Sequence, residues 1–492
     1  MNIINFNSLN ELFKKVLELK EDWYYFLWEF LEENNIETDN LLVLLYKWTE
    51  EILLICKHSN QEALPPISNI YYWAYVFENE IYDFYGKTTD WKKNYITRLH
   101  NYPKDYFPKR KLWRPMINEK QEYLFTEIKS EWAVKVQVWP IHAGIISPGH
   151  FRFTCDGEDT LNLDIQLWWK HRWVENYFIK ENDLNKLLQA VWEISWDSCI
   201  ATTLAFVDII EQSAQIKIDE TTKINRVILL ELERIYNHLW TIWAMLNDVW
   251  QWYLLNWFLE IREEFLNLNK ELFWSRILKW VINFWKNNIN LTKEKASLLI
   301  DTINKQSKRF ENLIDISTNS TWIYDRFFTT WIVKEETAYD HSALWVSAKA
   351  SWVKQDFRQF DKYYSNLETK IYLWKNWDVY DRFYVRYQEI RESINLIKKL
   401  VNFLEINWFK SWENNDIKIK LNDWYFIGRK EWHRWENLQL VHIENWKIRY
   451  YKFKDPSFIN WNLLEYAVLN NIIADFPICN KSFDLSYSWF DL

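Results

Sequence analysis

The segment LELERIYNHLWTIWAMLNDVW, residues 230–250, decides the fold of the chain around it. Its apolar residues recur at intervals of three and four, and this spacing continues upstream through INRVILL (224–230). Such periodicity predicts one long helix. Helical spacing dominates from about residue 184 to about residue 315, and a further helix is predicted over roughly 380–404. The central part of the chain is therefore predicted to be mainly helical.

Short strands are predicted on both sides of this helical part. Residues 131–168 alternate apolar and polar side chains in VKVQV, FRFTCD and LNLDIQL. Residues 412–455 combine short alternating runs with turn residues. After them, the chain is predicted to end in a helix and an extended tail.

The amino-terminal part has patterns of its own. LNELFKKVLELKEDWYYFLWEFLEE (9–33) has the spacing of a helix, whereas LLVLLYKWTEEILLICK (41–57) indicates strands. We predict an α+β protein with a small α/β domain, a polar connector and a large, mainly helical domain that contains short β elements. The predicted bounds of these three parts are 1–115, 116–130 and 131–492.

The composition excludes several classes of protein. The net charge is −8, so no basic field indicates nucleic-acid binding. MNIINFNSLNELFKK lacks the order of a signal peptide, and no uncharged run of about 18 apolar residues predicts a spanning helix. A soluble, cytoplasmic chain is expected. A disulfide scaffold, a zinc ribbon or a self-contained iron–sulfur site is not expected, because the four cysteines stand singly: Cys56, Cys155, Cys199 and Cys479.

The numbers of tryptophan and glycine are abnormal. The chain has 35 Trp and 5 Gly, whereas glycine normally supplies about 7% of residues and fills the positive-φ positions of turns and helix ends. We infer that most of these tryptophans are glycines misread in translation, as when a UGA codon for glycine is read as tryptophan. Trp139, Trp331 and Trp352 stand where glycine is expected, and Trp461 is the best candidate for a genuine tryptophan. The alternative, a set of stacking platforms for single-stranded nucleic acid, requires interleaved Lys and Arg, and no such pattern is present.

Several motifs then resemble one family in order along the chain. With glycine for tryptophan, residues 138–153 become VGPIHAGIISPGHFRF, which is similar to the opening strand pair of group 4 hydrogenase large subunits, the relatives of the complex I 49 kDa subunit. LWWKHRWVENYF (167–178) resembles their LGxxHRGxE element, and residues 230–250 resemble ELERxYNHxGDxGAxxNDVG. Residues 325–358, residues 376–397 and the carboxyl-terminal segment follow in the family's order.

The amino-terminal part carries a second resemblance. VFENEIYDFYG (76–86) and FPKRK (107–111) resemble the WxERExxDxFG and PLRK signatures of the complex I 30 kDa subunit. A fusion of the 30 kDa and 49 kDa parts is typical of large subunits of the formate hydrogenlyase type (formate hydrogenlyase subunit 5-like). The resemblance implies a complex I-like or energy-converting NiFe-hydrogenase-related oxidoreductase.

In this family, two Cys-x-x-Cys pairs hold nickel and iron, because soft thiolates bind these metals tightly. At the first pair this chain has SWDS, which places Ser195 and Ser198 at the ligand positions; Cys199 is one residue off. At the second pair it has Ser486 and Trp489. The resemblance therefore implies that the nickel ligands are lost, that nickel is absent and that this chain itself binds no metal or other cofactor.

Four residues match catalytic positions of the family. His142 and His150 match a loop that faces the active-site cavity, where a histidine of the complex I relatives hydrogen-bonds the quinone; the alternative is that both hold a turn. Arg172 and Glu175 match the RGxE element, whose Glu begins a proton path; the alternative is an Arg–Glu pair on a solvated helix end. No tyrosine stands at residues 184–188, where the quinone tyrosine of complex I would fall.

Four further residues are expected to have structural or interface roles. Arg234 and His238 are four apart and share a helix face, which favours helix packing or contact with a neighbouring iron–sulfur subunit over catalysis. Arg358 and Arg434 match arginines near the cavity, with ordinary surface charge as the alternative.

The resemblance implies a peripheral protein at the cytoplasmic face of the plasma membrane. Expected partners are an iron–sulfur small subunit (complex I 20 kDa-like) that holds a 4Fe-4S cluster, a ferredoxin-like subunit and antiporter-like membrane subunits. Electrons would pass to quinone or another acceptor and drive ion translocation, as in an NADH dehydrogenase (NADH:quinone oxidoreductase). The alternatives are an active hydrogen-evolving NiFe hydrogenase and a non-catalytic coupling scaffold.

Overall fold

A computed structural model gives the fold of most of the chain. The residues that it describes fall into two compact units, the first comprising residues 1–152, 164–170 and 340–342 and the second comprising 153–163, 171–339 and 343–492. Residues 115 and 116, the predicted domain boundary, lie outside the described residues, so the predicted domain bounds stay a prediction. The described residues are 1–34, 37–47, 50–87, 89, 109, 125–141, 147–167, 169, 172–195, 197–285, 291–364, 367–407 and 420–487.

The first unit contains a four-stranded sheet of order β1–β4–β3–β2, in which β1 is parallel to β4 and the other neighbours are antiparallel. Helix α2 ends at Gly86, whose φ of 70° suits a glycine C-cap. The mixture of helix and sheet is the predicted small α/β part. Its elements are β1 (Asn2–Phe6), α1 (Leu9–Glu21), β2 (Tyr25–Glu33), β3 (Thr38–Lys47), β4 (Glu50–Ser59) and α2 (Tyr75–Tyr85).

The helix predicted over residues 9–33 is wrong in its second half. Helix α1 ends at Glu21, Trp23 has a φ of 65°, and the chain continues as β2. All residues of β2 after Tyr25 are buried. When a short apolar run is buried on both faces, its sequence has no periodicity that distinguishes a strand from a helix.

The remaining strands and helices confirm the predicted α+β class. Two three-stranded sheets have the orders β5–β6–β7 and β10–β9–β8. Their strands are β5 (Ala133–Val138), β6 (His150–Asp156), β7 (Asp159–Gln166), β8 (Trp424–Trp432), β9 (Trp435–Glu444) and β10 (Lys447–Lys454). The helices are α3 (Val174–Lys180), α4 (Leu184–Ile194), α5 (Cys199–Ser213), α6 (Glu220–Asp248), α7 (Trp252–Phe273), α8 (Lys293–Thr318), α9 (Thr321–Phe327), α10 (Glu335–Asp340), α11 (Trp345–Ala350), α12 (Val379–Asn407), α13 (Ser457–Ala467) and α14 (Phe476–Phe483).

The core of the second unit forms around α6, the helix that opened the sequence analysis. Asp219 caps its N-terminus by accepting the backbone N–H of Thr222 at 2.7 Å. The helix packs on α5, α7 and α12, and α5 packs on β8. Gly428 of β8 lies so close to α5 that a Cβ atom would stand 1.9 Å from the carbonyl oxygen of Ala205. Only glycine permits this approach between the sheet and the helix.

Tryptophan occupies left-handed backbone positions throughout the chain. Trp331 has a φ of 55°, is fully buried, and its indole N–H has no hydrogen-bond partner among the described residues. Trp461, in contrast, lies inside α13 and donates its indole N–H to Ser486 O at 3.3 Å. A bulky residue with positive φ is strained. The described tryptophans with positive φ are Trp23, Trp173, Trp250, Trp274, Trp280, Trp285, Trp331, Trp352, Trp377 and Trp446.

Candidate functional site

The first part of the candidate site is the loop that precedes α5. The backbone N–H groups of Ile200 and Ala201 donate to the buried carboxylate of Glu233, on α6, at 2.8 and 3.0 Å. Burial raises the pKa of Glu233 to about 8, although both hydrogen bonds act in the opposite direction. These two N–H groups belong to the N-terminus of α5, where the helix dipole also favours a negative charge on Glu233. Glu233 therefore anchors the start of α5, and with it this loop, to α6.

Arg434, in the turn between β8 and β9, joins this loop to the carboxyl-terminal segment. Its guanidinium forms an ion pair with Asp197 and donates through Nε to Asp484 O at 2.6 Å. The Nε atom also lies 3.6 Å from Asp484 Oδ2. Burial opposes the charge of Arg434, but the two carboxylates outweigh it and raise the pKa of the guanidinium. One buried side chain thus connects segments that are 287 residues apart in sequence, since Asp197 and Asp484 differ by that number.

Helix α6 also contacts both of the segments that Arg434 joins. Asn237 donates to Asp197 O at 2.6 Å, and Thr241, one turn later, donates to Asp484 Oδ2 at 2.8 Å. Lys481 Nζ lies 2.6 Å from Asp484 Oδ1. Burial acts to raise the pKa of Asp484, but the charges of Lys481 and Arg434 outweigh it and lower the pKa to about 2. The Asp484 carboxylate therefore stays ionised at neutral pH.

The serines at the predicted ligand positions have local hydrogen-bond partners, which Ser195 and Ser198 contact through their hydroxyls and Ser486 through its backbone N–H. Ser195 Oγ donates to the Asp197 carboxylate, and Ser198 Oγ accepts the hydroxyl of Thr202 at 3.1 Å. Ser486 N donates to Ser457 Oγ at 3.0 Å. Ser195, Ser198 and Ser486 are buried on the two segments that Arg434 joins. Trp489 lies outside the described residues.

The side chains of Arg172 and Glu175 contact different parts of the chain. Arg172 Nη1 donates to Ile194 O at 2.8 Å, so it supports the residue that precedes Ser195. Glu175 is buried and faces β10, where it accepts the backbone N–H of Phe453 at 3.2 Å and lies 3.1 Å from Lys452 Nζ. Glu175 therefore does not lie on a solvated helix end, which was the alternative for this residue. Its role in proton transfer stays a prediction.

Of the two predicted loop histidines, the structure describes one. His150 begins β6 and is buried in the first unit, beside the rings of Phe125 and Trp139 at 5.7 Å each. Burial lowers the pKa of its imidazole, so His150 is neutral at pH 7. His142 lies outside the described residues. The catalytic roles of both stay predictions.

The two cysteines nearest the site are buried thiols. Cys199 Sγ points back to the carbonyl oxygen of Ser195, at 3.6 Å, and burial raises the pKa of its thiol. Cys479 is fully buried in α14, and burial raises its thiol pKa well above the ordinary value. A high thiol pKa disfavours the thiolate that a metal requires.

Comparison with known proteins finds relatives among respiratory and hydrogenase subunits. Residues 248–438 match the family described as respiratory-chain NADH dehydrogenase, 49 Kd subunit. The membrane-bound hydrogenase subunit alpha of Pyrococcus furiosus is 24% identical, over 72% of this chain and 87% of that protein. The C/D fusion protein of NADH-quinone oxidoreductase from a Sulfurihydrogenibium species is 24% identical, over 75% of this chain and 70% of that protein. Formate hydrogenlyase subunit 5 of Escherichia coli is 21% identical, over 72% of this chain and 62% of that protein.

The chain is similar to subunits of complex I and of energy-converting hydrogenases, and these similarities support a fused 30/49 kDa-type subunit. The named relatives are oxidoreductase subunits of multisubunit complexes, which supports an oxidoreductase-related role for this chain. No described helix is both long enough and apolar enough to span a membrane.

The residues at the predicted ligand positions do not fit a nickel–iron centre. They offer neutral hydroxyls in place of soft thiolates, and the hydroxyls of Ser195 and Ser198 are bonded to Asp197 and Thr202. Within the described ranges, no group of three or more His, Cys, Asp or Glu side chains has the arrangement of a metal site. The polar groups that the site offers include Arg434, the carboxylates of Asp197 and Asp484, and serine hydroxyl groups.

A buried ionic cluster next to the site was not predicted as a unit. Lys349 Nζ lies 2.7 Å from Glu389, 2.8 Å from Asp356 and 3.3 Å from Glu431. The predicted residues Arg234, His238 and Arg358 belong to the same cluster and are no more than 1% exposed. Arg358 is therefore not an ordinary surface charge, and neither is Arg434, which is 8% exposed. Glu231, three residues before Arg234 on α6, lies 3.3 Å from its Nε, but Glu389 and Glu431 lie far away in sequence. The spacing of Arg234 and His238 therefore does not indicate the cluster as a unit.

Proposed function

We propose that this chain is the large subunit of a membrane-associated, complex I-like oxidoreductase that passes electrons to an organic acceptor. The electrons arrive from a 4Fe-4S cluster in a separate iron–sulfur small subunit, and the acceptor is a quinone or another polar organic molecule. Two relatives support this proposal by name, since one belongs to an NADH-quinone oxidoreductase and another to a membrane-bound hydrogenase.

The observation that carries the proposal is the position of Arg434. It holds the loop of Ser195 and Ser198 against the segment of Ser486. This contact supports a site that keeps the framework of the family's site but has hydroxyls at its ligand positions. An arginine fork and hydroxyl groups can donate to the oxygens of an organic acceptor as these gain charge. The same groups are poor ligands for a soft metal. The vacated site therefore suits a polar organic acceptor better than nickel.

Proton supply to the acceptor is assigned to residues of this chain. His150 is neutral at pH 7 and could donate to a quinone carbonyl. His142, Arg172 and Glu175 belong to the same proposed set, with Arg172 positioning the Ser195 loop through Ile194. The reaction drives ion translocation by antiporter-like membrane subunits, and the electron path also includes a ferredoxin-like subunit. The chain is proposed to lie peripherally at the cytoplasmic face of the plasma membrane.

The test is an activity assay on the native complex, purified through a tag on this chain. Reduced low-potential dye is the electron donor, and a water-soluble quinone is the acceptor. We expect quinone reduction, and we expect Arg434→Lys to lower kcat at least tenfold, because lysine keeps the charge but loses the fork. Arg449→Lys is the matched control, since Arg449 forms a part-exposed pair with Glu444 on β10 and β9.

Two alternatives predict different results in the same assay. Hydrogen evolution above background would indicate an active NiFe hydrogenase and would contradict the proposal. A complex that assembles but transfers electrons to no acceptor, with or without Arg434, would indicate a non-catalytic coupling scaffold.

A further inference from the structure

Two carboxyl groups meet in the centre of the buried ionic cluster. Asp356 precedes a short helical turn at Phe357, and Glu431 lies near the end of β8. The two carboxyl groups share donors: the backbone N–H of Arg358 lies 3.1 Å from Asp356 Oδ1 and 3.3 Å from Glu431 Oε2, and Lys349 Nζ lies 2.8 Å from Asp356 and 3.3 Å from Glu431. Neither residue is more than 2% exposed. Two adjacent carboxylates repel each other strongly where no water screens them, and a proton on one of the two removes this repulsion.

The donors around the pair show which carboxyl holds the negative charge. Asp356 receives two bonds from the guanidinium of Arg358, at 3.0 and 2.7 Å, and one from Lys349 at 2.8 Å. It also receives the backbone N–H of Arg358 at 3.1 Å. Four donors, three of them from cations, stabilise an ionised Asp356.

Glu431 has weaker partners. Its Oε2 accepts the backbone N–H groups of Phe357 and Arg358. The cations reach only Oε1, and from farther away: Lys349 at 3.3 Å, Arg358 at 3.8 Å and Arg234 at 3.9 Å. Arg234 directs its fork instead to the carbonyl oxygens of Trp432 and Glu431, at 2.8 and 3.3 Å. The proton of the pair therefore belongs on Glu431.

We propose that Asp356 and Glu431 form a proton-binding site, in which Glu431 holds one exchangeable proton that it donates to the ionised Asp356. Loss of this proton leaves two carboxylates in contact; its return restores the hydrogen bond. The ligand of the site is the proton alone, and no electron or other atom moves. The site does not require any reaction at Ser195 or Ser486, so its test is independent of the proposed function.

The other charged groups that face the pair come from four elements. Helix α6 supplies Glu231, Arg234 and His238, α11 supplies Lys349, the turn at Phe357 supplies Arg358, and α12 supplies Glu389. Arg386 of α12 is also close enough to Asp484 and Glu389 for both carboxylates to favour its charge. Apart from Arg386, the pair and the groups around it comprise four carboxyl groups, three permanent cations and the neutral His238.

The directions of the two pKa shifts agree with the geometry. Burial raises the pKa of Glu431 to about 7, with Asp356 as the largest charged contributor. For Asp356, burial acts to raise the pKa, but Arg358 and Lys349 outweigh it and hold the pKa well below the ordinary value. The two partners therefore differ in the direction that a shared proton requires.

The test is infrared spectroscopy of the full chain, purified with any subunits that accompany it. Protonated carboxyl groups absorb apart from carboxylates, so spectra between about pH 5.5 and about pH 8.5 follow the proton directly. We expect Glu431→Gln to remove one protonated carboxyl that titrates in this range, because the amide replaces the acid as a donor to Asp356. Glu231→Gln is the matched control, since Glu231 is an equally buried, ionised carboxylate of the same cluster. It should remove none.

A second variant covers the case in which Glu431→Gln does not fold. Asp356→Asn removes the neighbouring negative charge, so the titration of Glu431 should move to lower pH. The proposal is overturned if Glu431→Gln and wild type show the same protonated carboxyl bands across the range. It is also overturned if Asp356→Asn leaves every such titration in place.

Discussion

The imidazole Nε2 of His238 lies 2.7 Å from Glu389 Oε2, and this contact joins α6 to α12, the two 29-residue helices of the second unit. Both residues are buried. Burial lowers the pKa of His238 to about 4, although Glu389 acts in the opposite direction. The imidazole is therefore neutral at pH 7 and bonds the ionised Glu389 as an N–H donor.

His238 is expected to make the stability of the second unit fall on acidification. An unfolded histidine has a pKa of about 6.5. Between that value and the folded value of about 4, the unfolded state binds the proton that the folded state refuses, so the free energy of unfolding falls as the pH falls. From about pH 7 to about pH 5 the loss is roughly 2 kcal/mol.

The variant His238→Gln isolates this effect, because glutamine keeps a donor for Glu389 but does not titrate. Urea unfolding at both pH values should show the variant losing roughly 2 kcal/mol less than wild type. His442→Gln is the control, since His442 is a part-buried histidine that stacks on Tyr425. Equal pH dependence in wild type and His238→Gln would contradict the prediction.

The long helices and the two site segments could be predicted from sequence, whereas the ionic cluster could not. Periodicity identifies α6 because its signal is local, and the position of SWDS before α5 follows from the family's motif order. The partners of Arg234 and His238 are set by how α6, α12 and β8 pack. Glu389 stands 151 residues after His238, and nothing local in the sequence marks it as the partner. Tertiary packing, which no local pattern encodes, brings these charges together.

The strand β2 was missed for a different physical reason. Its residues are buried on both faces of the strand, so the alternation that identifies a half-buried strand is absent. The break that separates it from α1 lies at Trp23, a position with positive φ. A glycine there would have marked the end of α1 in the sequence.

Trp274 is expected to destabilise the protein relative to glycine. Trp274 is the C-cap residue of α7 and has a φ of 64°. The residue is 88% exposed, so removal of its side chain loses little packing. Trp274→Gly should raise the free energy of unfolding by about 1 kcal/mol, because glycine adopts the left-handed region without the Cβ clash. Trp461→Gly, in a buried helix, should lower it by about 3 kcal/mol or more. Urea unfolding of the two variants measures both, and a loss of stability in Trp274→Gly would contradict the argument.

Peptide mass spectrometry of the protein from its native host should show glycine at Trp139, Trp173, Trp331 and Trp352. The last three have positive φ, and all four occupy glycine positions of the family's motifs. Trp461 is the internal control and should be read as tryptophan. Tryptophan in the native peptides at these four positions would rule out recoding and leave the strained backbone as a property of the protein.

The complex purified with its small subunit is expected to contain iron but no stoichiometric nickel. Nickel in the family that the sequence resembles is held by four thiolates, and here Ser195, Ser198 and Ser486 supply neutral hydroxyls at three of the predicted ligand positions. Cys199 is one residue away from a predicted ligand position, and its Sγ points back to Ser195 O at 3.6 Å. Cys479 is fully buried in α14. Elemental analysis measures both metals in one sample, and hydrogen evolution from reduced dye, expected to be absent, checks the same point by function. One nickel per chain would show that the metal has ligands other than these positions.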